Sequence, residues 1–316
     1  MAETPRLRER DLDYDVVVIG GGPAGLSAAL QLGRSRRSVL VCDSNEPRNG
    51  PAAEAHGYLT RDGIAPDAFR RLGREELRGY GVELRDELVV DVERHTDGFT
   101  VSFGSGERYE TRKVVLATGV VDVLPDIDGF EERWGRGVYH CPYCHGYEVR
   151  DQPLGVYVDM APKLEYAKLV SNLSDDLVVF TDGNDVFDSD TETAFVERGI
   201  RIEREGIVAV DGVNGTLDRI TLADGRAVAR DALFYGPLMK QRSVLVDRLD
   251  LDTDEFGFVD VARSEPPMGG AGRTSVEGVF VAGDASNGSS PSVVTAAAEG
   301  YEVGATVNAE LSDELF

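Results

Sequence analysis

Lysine is scarce in this chain. Lys113, Lys163, Lys168 and Lys240 are its only four, and Lys and Arg together number 33 against 57 Asp and Glu, a formal net charge of -24. Phosphate binding needs clustered cations, so this balance argues against nucleic acid and anionic membranes as partners. The acids are spread along the chain rather than gathered in a tail. That distribution suits a halophilic setting, where a short Debye length removes self-repulsion. Long apolar runs are missing too. Nothing approaches the roughly 18 consecutive apolar residues that span a bilayer, and the opening MAETPRLRERDLD is charged, with no signal-peptide core. A cytoplasmic protein is the expectation. Cysteine is also rare: three residues cannot build a disulfide scaffold, and two of them are spaced C-x-x-C, which points to redox chemistry or metal.

With 316 residues and 41% apolar content, the chain can bury two cores of ordinary size. Residues 15–19 (DVVVI) form a short apolar run ending in Gly20, followed by a helical pattern to Gln31 and a second buried strand over 38–42, closed by Asp43. A Pro-, Asn- and Gly-rich loop covers 44–63, and Pro66 starts an amphipathic helix that stops near Gly81. Strand-like runs with turns at 96–98 and 104–106 predict an antiparallel layer laid on the first sheet. Past Gly129 the pattern restarts, with strands over 154–158 and 177–180, helices over 163–173 and 191–198, and further strands up to Tyr235. A late strand over 278–282, then Gly283-Asp284 and a helix to Leu311, returns to complete the first domain. The expected fold class is α/β, with two Rossmann-like, three-layer nucleotide-binding domains, the second (128–237) inserted in the first (1–127 plus 238–316).

Gly20-Gly21-Gly22-Pro23-Ala24-Gly25 matches G-x-G-x-x-G between a predicted strand and a predicted helix. Gly20 permits the tight turn, Gly22 lets backbone approach a pyrophosphate at the helix N-terminus, and Gly25 lets helix pack on strand. Asp43 stands at about the distance expected of a ribose-binding acid. Further on, His140-Cys141-Pro142-Tyr143-Cys144-His145 places two thiols two residues apart between imidazoles. In such a pair a thiolate is stabilised by its neighbour, a helix N-terminus or a cationic His, and becomes a nucleophile at neutral pH. Zinc would need two more ligands, and Cys42, His56, His95, His140 and His145 offer no second paired spacing. C-P-Y-C-H also fits haem attachment, which requires export, and two inert thiols are the plain alternative.

Ala117-Thr118-Gly119 after an apolar strand, and Gly283-Asp284 after another, resemble the remaining fingerprints of the two-dinucleotide-binding flavoproteins. That resemblance implies FAD, with Asp284 on its ribityl and phosphate region. The order of FAD motif, C-x-x-C at the head of an inserted domain, and late G-D before a helix resembles the low-molecular-weight thioredoxin reductases over nearly the full chain. The resemblance implies that Cys144 faces the flavin and Cys141 attacks the partner disulfide, and it implies a homodimer with a rotating inserted domain. The family's usual acid after the second cysteine is His145 here. With Pro47-Arg48-Asn49 and His56 in the flavin loop, the run C-P-Y-C-H-G-Y-E is similar to the branch that includes gliotoxin-type dithiol oxidases. Asn49 and His56 are then cofactor-binding candidates, and His145 a candidate acid or base.

Aligned with that family, the two phosphate-loop glycines of the inserted domain become Val158 and Met160, and the small helix-packing residue becomes Lys163. Side chains at those places fill the space through which backbone meets pyrophosphate, and Asp159 adds repulsion. After the next strand, Thr181-Asp182-Gly183-Asn184-Asp185 carries no arginine for a 2'-phosphate. NADPH is therefore not the expected donor. Three readings follow. A disulfide reductase takes electrons from a carrier such as ferredoxin and reduces a thioredoxin-like protein. A dithiol oxidase passes electrons from a small dithiol to oxygen. A non-catalytic sensor keeps the flavin and thiols but signals through conformation.

Overall fold

The computed structural model describes residues 12–263, 269–287 and 291–316. The charged opening segment lies outside them up to position 11. The chain divides into two compact units: one holds the residues up to Arg48, Asp67–Val121 and Lys240 onward, the other Asn49–Pro66 and Asp122–Met239.

In the first unit the strand Tyr14–Ile19 pairs in parallel with Val39–Cys42 on one side and Arg108–Leu116 on the other. Glu83–Arg85 and Val279–Val281 extend the parallel sheet beyond them. Val16, Val17 and Val18 are fully buried, as expected of a strand covered on both faces. One face packs on the helices Pro23–Arg34 and Val293–Asp313 through Ala28, Leu32, Val303 and Val307. Ser292 starts the second helix by accepting the Thr295 N–H at 3.0 Å.

On the other face, Phe99, Val101 and Phe103 share a core with Val17 and Leu40. This is the antiparallel layer, with one difference from expectation: it is hydrogen-bonded into the same sheet. Arg108–Leu116 is nine residues long and serves both partners, so that Thr111 lies in register with Tyr14 in parallel and with Phe99 in antiparallel fashion. A strand of that length reaches past the parallel strands, and its free end pairs with Gly98–Phe103.

The second unit repeats the plan with a five-stranded parallel sheet in the order Arg201–Glu203, Leu177–Phe180, Leu154–Tyr157, Ala232–Tyr235, Val138–Tyr139. Helices Leu164–Val170 and Ser189–Glu197 cover one face, and the antiparallel strands Ile207–Asp211, Arg219–Leu222 and Ala227–Ala229 cover the other. The helix expected over 163–173 is shorter. Pro162 sits in a single 3-10 turn, Ala161–Lys163, and the helix ends where the Ser171 hydroxyl bonds back to the Lys168 carbonyl at 2.8 Å.

Candidate active site

In the first unit the motif residues converge on the carboxyl edge of the parallel sheet, where α/β proteins bind ligands. Gly20 N–H donates to Cys42 O at 2.7 Å, Ala117 N–H to Ile19 O at 2.8 Å, and Ala282 N–H to Leu116 O at 3.0 Å. The four strand ends are thereby locked together, which sets Gly20, Asp43, Ala117 and Gly283 side by side. Gly20 has φ +115° and an added Cβ would lie 2.1 Å from Ala117 O. At Gly25 a Cβ would lie 1.8 Å from Gly20 O. No other residue fits either place. At Gly22, by contrast, a Cβ would meet nothing within 4 Å among the described residues. Gly22 is also the N-cap of Pro23–Arg34 and supplies no side-chain cap, with Pro23 at the start and no acid in the first turn. Open space before uncapped helical N–H groups is the arrangement that receives a phosphate.

Two further observations fit a dinucleotide here. Thr118 Oγ1 is buried and has no hydrogen-bond partner among the described residues, a group that a ligand would satisfy. Asp284 is one-fifth exposed and pairs with Arg48 at 3.1 Å, while the turn before it is pinned by the Gly283 N–H donating to Glu299 at 2.8 Å. Asp43 is more engaged than its spacing suggests. Its Oδ2 takes Arg70 at 2.6 Å and its Oδ1 accepts the Asn45 N–H at 3.2 Å. Arg70 was not legible as a site residue, because its partner lies on another element 27 positions away.

Asn49, His56 and the cysteine segment lie in the second unit. Val138–Tyr139 ends at the carboxyl edge of the second sheet, and the chain turns there into Cys141 and a one-turn helix, Pro142–His145. Cys141 and Cys144 form a disulfide with Cα atoms 5.2 Å apart. Both are half-buried, while Tyr143 between them is exposed. His145 stacks on Tyr139, ring centroids 4.8 Å apart at 16°, and meets His56 edge-on at 6.2 Å and 84°. Both His145 ring nitrogens are buried, and among the described residues neither meets a partner in full hydrogen-bond geometry, though the Glu54 backbone acts on the ring. Burial, then the neighbouring His56, pushes its pKa below the ordinary imidazole value. His56, which the resemblance makes a cofactor-binding candidate together with Asn49, lies beside His145 in the second unit. Asn49 makes a turn here, its carbonyl accepting the Ala52 N–H at 3.1 Å. Cys42 stands apart from the pair: it is 1% exposed, and burial pushes its thiol up to about 12, leaving it unreactive at neutral pH.

At the corresponding edge of the second sheet the side chains pair with one another. Val158 is fully buried at the end of Leu154–Tyr157. The Lys163 ammonium, on a side chain only 8% exposed, reaches Asp159 at 2.6 Å and lies 4.2 Å over the Tyr235 ring. Tyr235 donates its hydroxyl to Asp159 Oδ2 at 3.0 Å. One strand over, Asp182 accepts the Tyr157 hydroxyl at 3.1 Å and the Ile207 N–H at 2.7 Å. Tyr157 and Tyr235 stack at 5.2 Å, and burial with the adjacent carboxylates raises both phenol pKa values. A lysine that could have offered a substitute charge to phosphate is consumed by Asp159.

Comparison with known proteins agrees with this geometry. Residues 14–300 match the model of the pyridine nucleotide-disulphide oxidoreductases. Thioredoxin reductase tcpT of Claviceps purpurea is 34% identical over 95% of each chain, and thioredoxin reductase sirT of Leptosphaeria maculans is 33% identical over 93% of each. Among solved structures, HlmI is 40% identical with a TM-score of 0.86, covering 95% of this chain and 93% of its own. The resemblance to thioredoxin reductases is thereby borne out, and with it a flavin-binding family. The chain belongs to the pyridine nucleotide-disulphide oxidoreductases and is a thioredoxin reductase-like oxidoreductase.

Proposed function

We propose that the protein is an FAD-dependent thiol-disulfide oxidoreductase that reduces a thioredoxin-type protein through Cys141 and Cys144 and draws its electrons from a donor other than NADPH. The observation that carries this reading is the cluster of Asp159, Lys163 and Tyr235 where a second phosphate loop would lie. Pyrophosphate would have to displace the Lys163–Asp159 ion pair, and would meet Asp159 with its charge uncompensated.

FAD, when bound, supplies a two-electron store that also passes single electrons, which suits a carrier of ferredoxin type. Gly20, Gly22, Pro23, Ala24 and Gly25 would hold its pyrophosphate, Asp43 its ribose, and Ala117, Thr118, Gly119, Gly283 and Asp284 the remainder. Cys141 attacks the partner disulfide, and Cys144 displaces the partner by re-forming the C-x-x-C disulfide. His145, neutral and shut off from water, takes and returns the thiol proton.

One observation favours a second reading, a dithiol oxidase that hands electrons from a small dithiol to oxygen. A base held neutral beside an oxidised cysteine pair is ready to deprotonate an incoming thiol. A Cys144→Ser variant separates the two. The reductase reading expects it to retain thioredoxin as a mixed disulfide on Cys141, with no oxygen uptake when the wild-type enzyme is given dithiothreitol. Oxygen uptake driven by dithiothreitol, with no thioredoxin retained, selects the oxidase.

A further inference from the structure

A buried polar side chain with no partner is uncommon and costs stability unless it has work to do. Among the described residues neither ring nitrogen of His145 meets a partner in full hydrogen-bond geometry, and only the Glu54 backbone comes near enough to act on the ring. Its ring neighbours differ in kind. Tyr139 offers its face, while its hydroxyl is turned away to donate to Arg136 O at 2.8 Å. His56 offers a second imidazole, and carboxylates gather around that ring: Glu54 at 3.4 Å and Glu148 at 3.7 Å from Nε2, Asp62 at 3.5 Å from Nδ1. The His56 side chain is 13% exposed, whereas Glu54 and Asp62 are 56% and 70% exposed and open to solvent. An imidazolium at His56 has three counter-ions at hand; His145 makes no ion pair within 4 Å among the described residues.

We propose that His56 is a positioning residue for His145: the outer imidazole carries the pair's positive charge among Glu54, Asp62 and Glu148, so that the inner imidazole stays neutral and free to accept a proton from a thiol. This rests on His145 being the base of the exchange. Two imidazolium rings 6 Å apart repel in a partly dry setting, so the pair holds one proton more easily than two, and the counter-ions decide where it sits. The groups facing the pair are Tyr139 from the edge strand, Glu54 and Asp62 from the loop that carries His56, and Glu148 beyond the cysteine turn. Burial first and His56 second push the titration of His145 downward, and Glu148 and the Glu54 backbone oppose them more weakly.

The step this serves is balanced within the two partners. An incoming thiol gives its proton to His145, and its sulfur bonds to Cys141 Sγ as the Cys141–Cys144 bond breaks. The electron pair of that bond stays on Cys144 as a thiolate. A proton already on His145 blocks the step, so its titration should appear as the acidic limb of the rate profile.

The test uses the oxidised, flavin-loaded protein as wild type, His56→Gln and His56→Lys. The ring titration of His145 is followed by NMR, assigned with a His145→Gln variant, and the rate of exchange with dithiothreitol is measured against pH. We expect the His56→Gln variant to move the His145 midpoint and the acidic limb upward together by about one pH unit. His56→Lys, which keeps a cation among the three carboxylates, should bring both back toward the wild-type position. An unmoved His145 midpoint in a folded His56→Gln variant overturns the pairing. A midpoint that moves while the limb stays put overturns instead the assignment of His145 as the base, and the catalytic part of the proposal with it.

Discussion

Where Ile19 ends its strand, the chain turns through three glycines and leaves open space before an uncapped helix. Where Tyr157 ends the corresponding strand of the second unit, Val158 is buried and Asp159 is spent on Lys163 and Tyr235. The sheets behind the two edges are alike: parallel strands, helices on one face, an antiparallel layer on the other. Architecture therefore does not decide whether such an edge takes a nucleotide. On the reading proposed above a few side chains do, by leaving the helix N-terminus open or by pairing their own charges in front of it.

The widest contrast between the edges is steric. In a Gly25→Val variant the new Cβ would lie 1.8 Å from Gly20 O, so the purified protein should carry no flavin absorbance or fail to fold. A Met160→Gly change at the second edge should leave flavin content as it is and confer no response to NADPH, since Asp159 still holds Lys163. Next in size is Asp284→Ala, which should weaken FAD retention by about tenfold or more, the worth of one charge-assisted contact. Dialysis against flavin-free buffer would read this, and full retention would remove Asp284 from the site.

At the second edge, Lys163→Met strands Asp159 in a mostly buried position. We expect a loss of about 3 kcal/mol and a melting temperature several degrees lower. Adding Asp159→Asn should restore much of it, because the pair is lost together rather than broken. If the single variant melts like the wild type, the ion pair does not hold that edge shut.

The smallest effect is on acid stability. The folded-state pKa of His145 lies below its unfolded value, so the unfolded chain binds the proton first as pH falls. Stability at neutral pH is unaffected by this group. It should decline as pH drops below the unfolded imidazole value of about 6.5. His145→Phe keeps a ring on Tyr139 and removes the titration, and its melting temperature should fall less steeply with acid. Equal slopes would mean that His145 takes up its proton at the same pH in the folded and the unfolded chain.

Much of this was legible in the sequence because the signals are local. Glycines at 20, 22 and 25 between an apolar run and a helical one require only their spacing to be recognised, and Cys141 and Cys144 declare themselves the same way. The shared strand Arg108–Leu116 was not visible as a junction, because periodicity marks a strand but not which partners its two halves meet. Side-chain partnerships across long separations were hidden as well. Tyr235 reaches Asp159 across 76 positions, and His56 comes to His145 only through folding of the loop 49–66 into the second unit. Lys163 shows the limit well: its sequence position allowed a phosphate-binding role, and only its contact with Asp159 shows that its charge is taken.

The most direct test of a closed second edge is an anaerobic titration of the flavin-loaded protein with NADPH and then with dithiothreitol, following visible absorbance. NADPH should leave the flavin oxidised and dithiothreitol should bleach it. Prompt bleaching by NADPH, with disulfide turnover following, would contradict the closed edge and make this an NADPH-driven thioredoxin reductase.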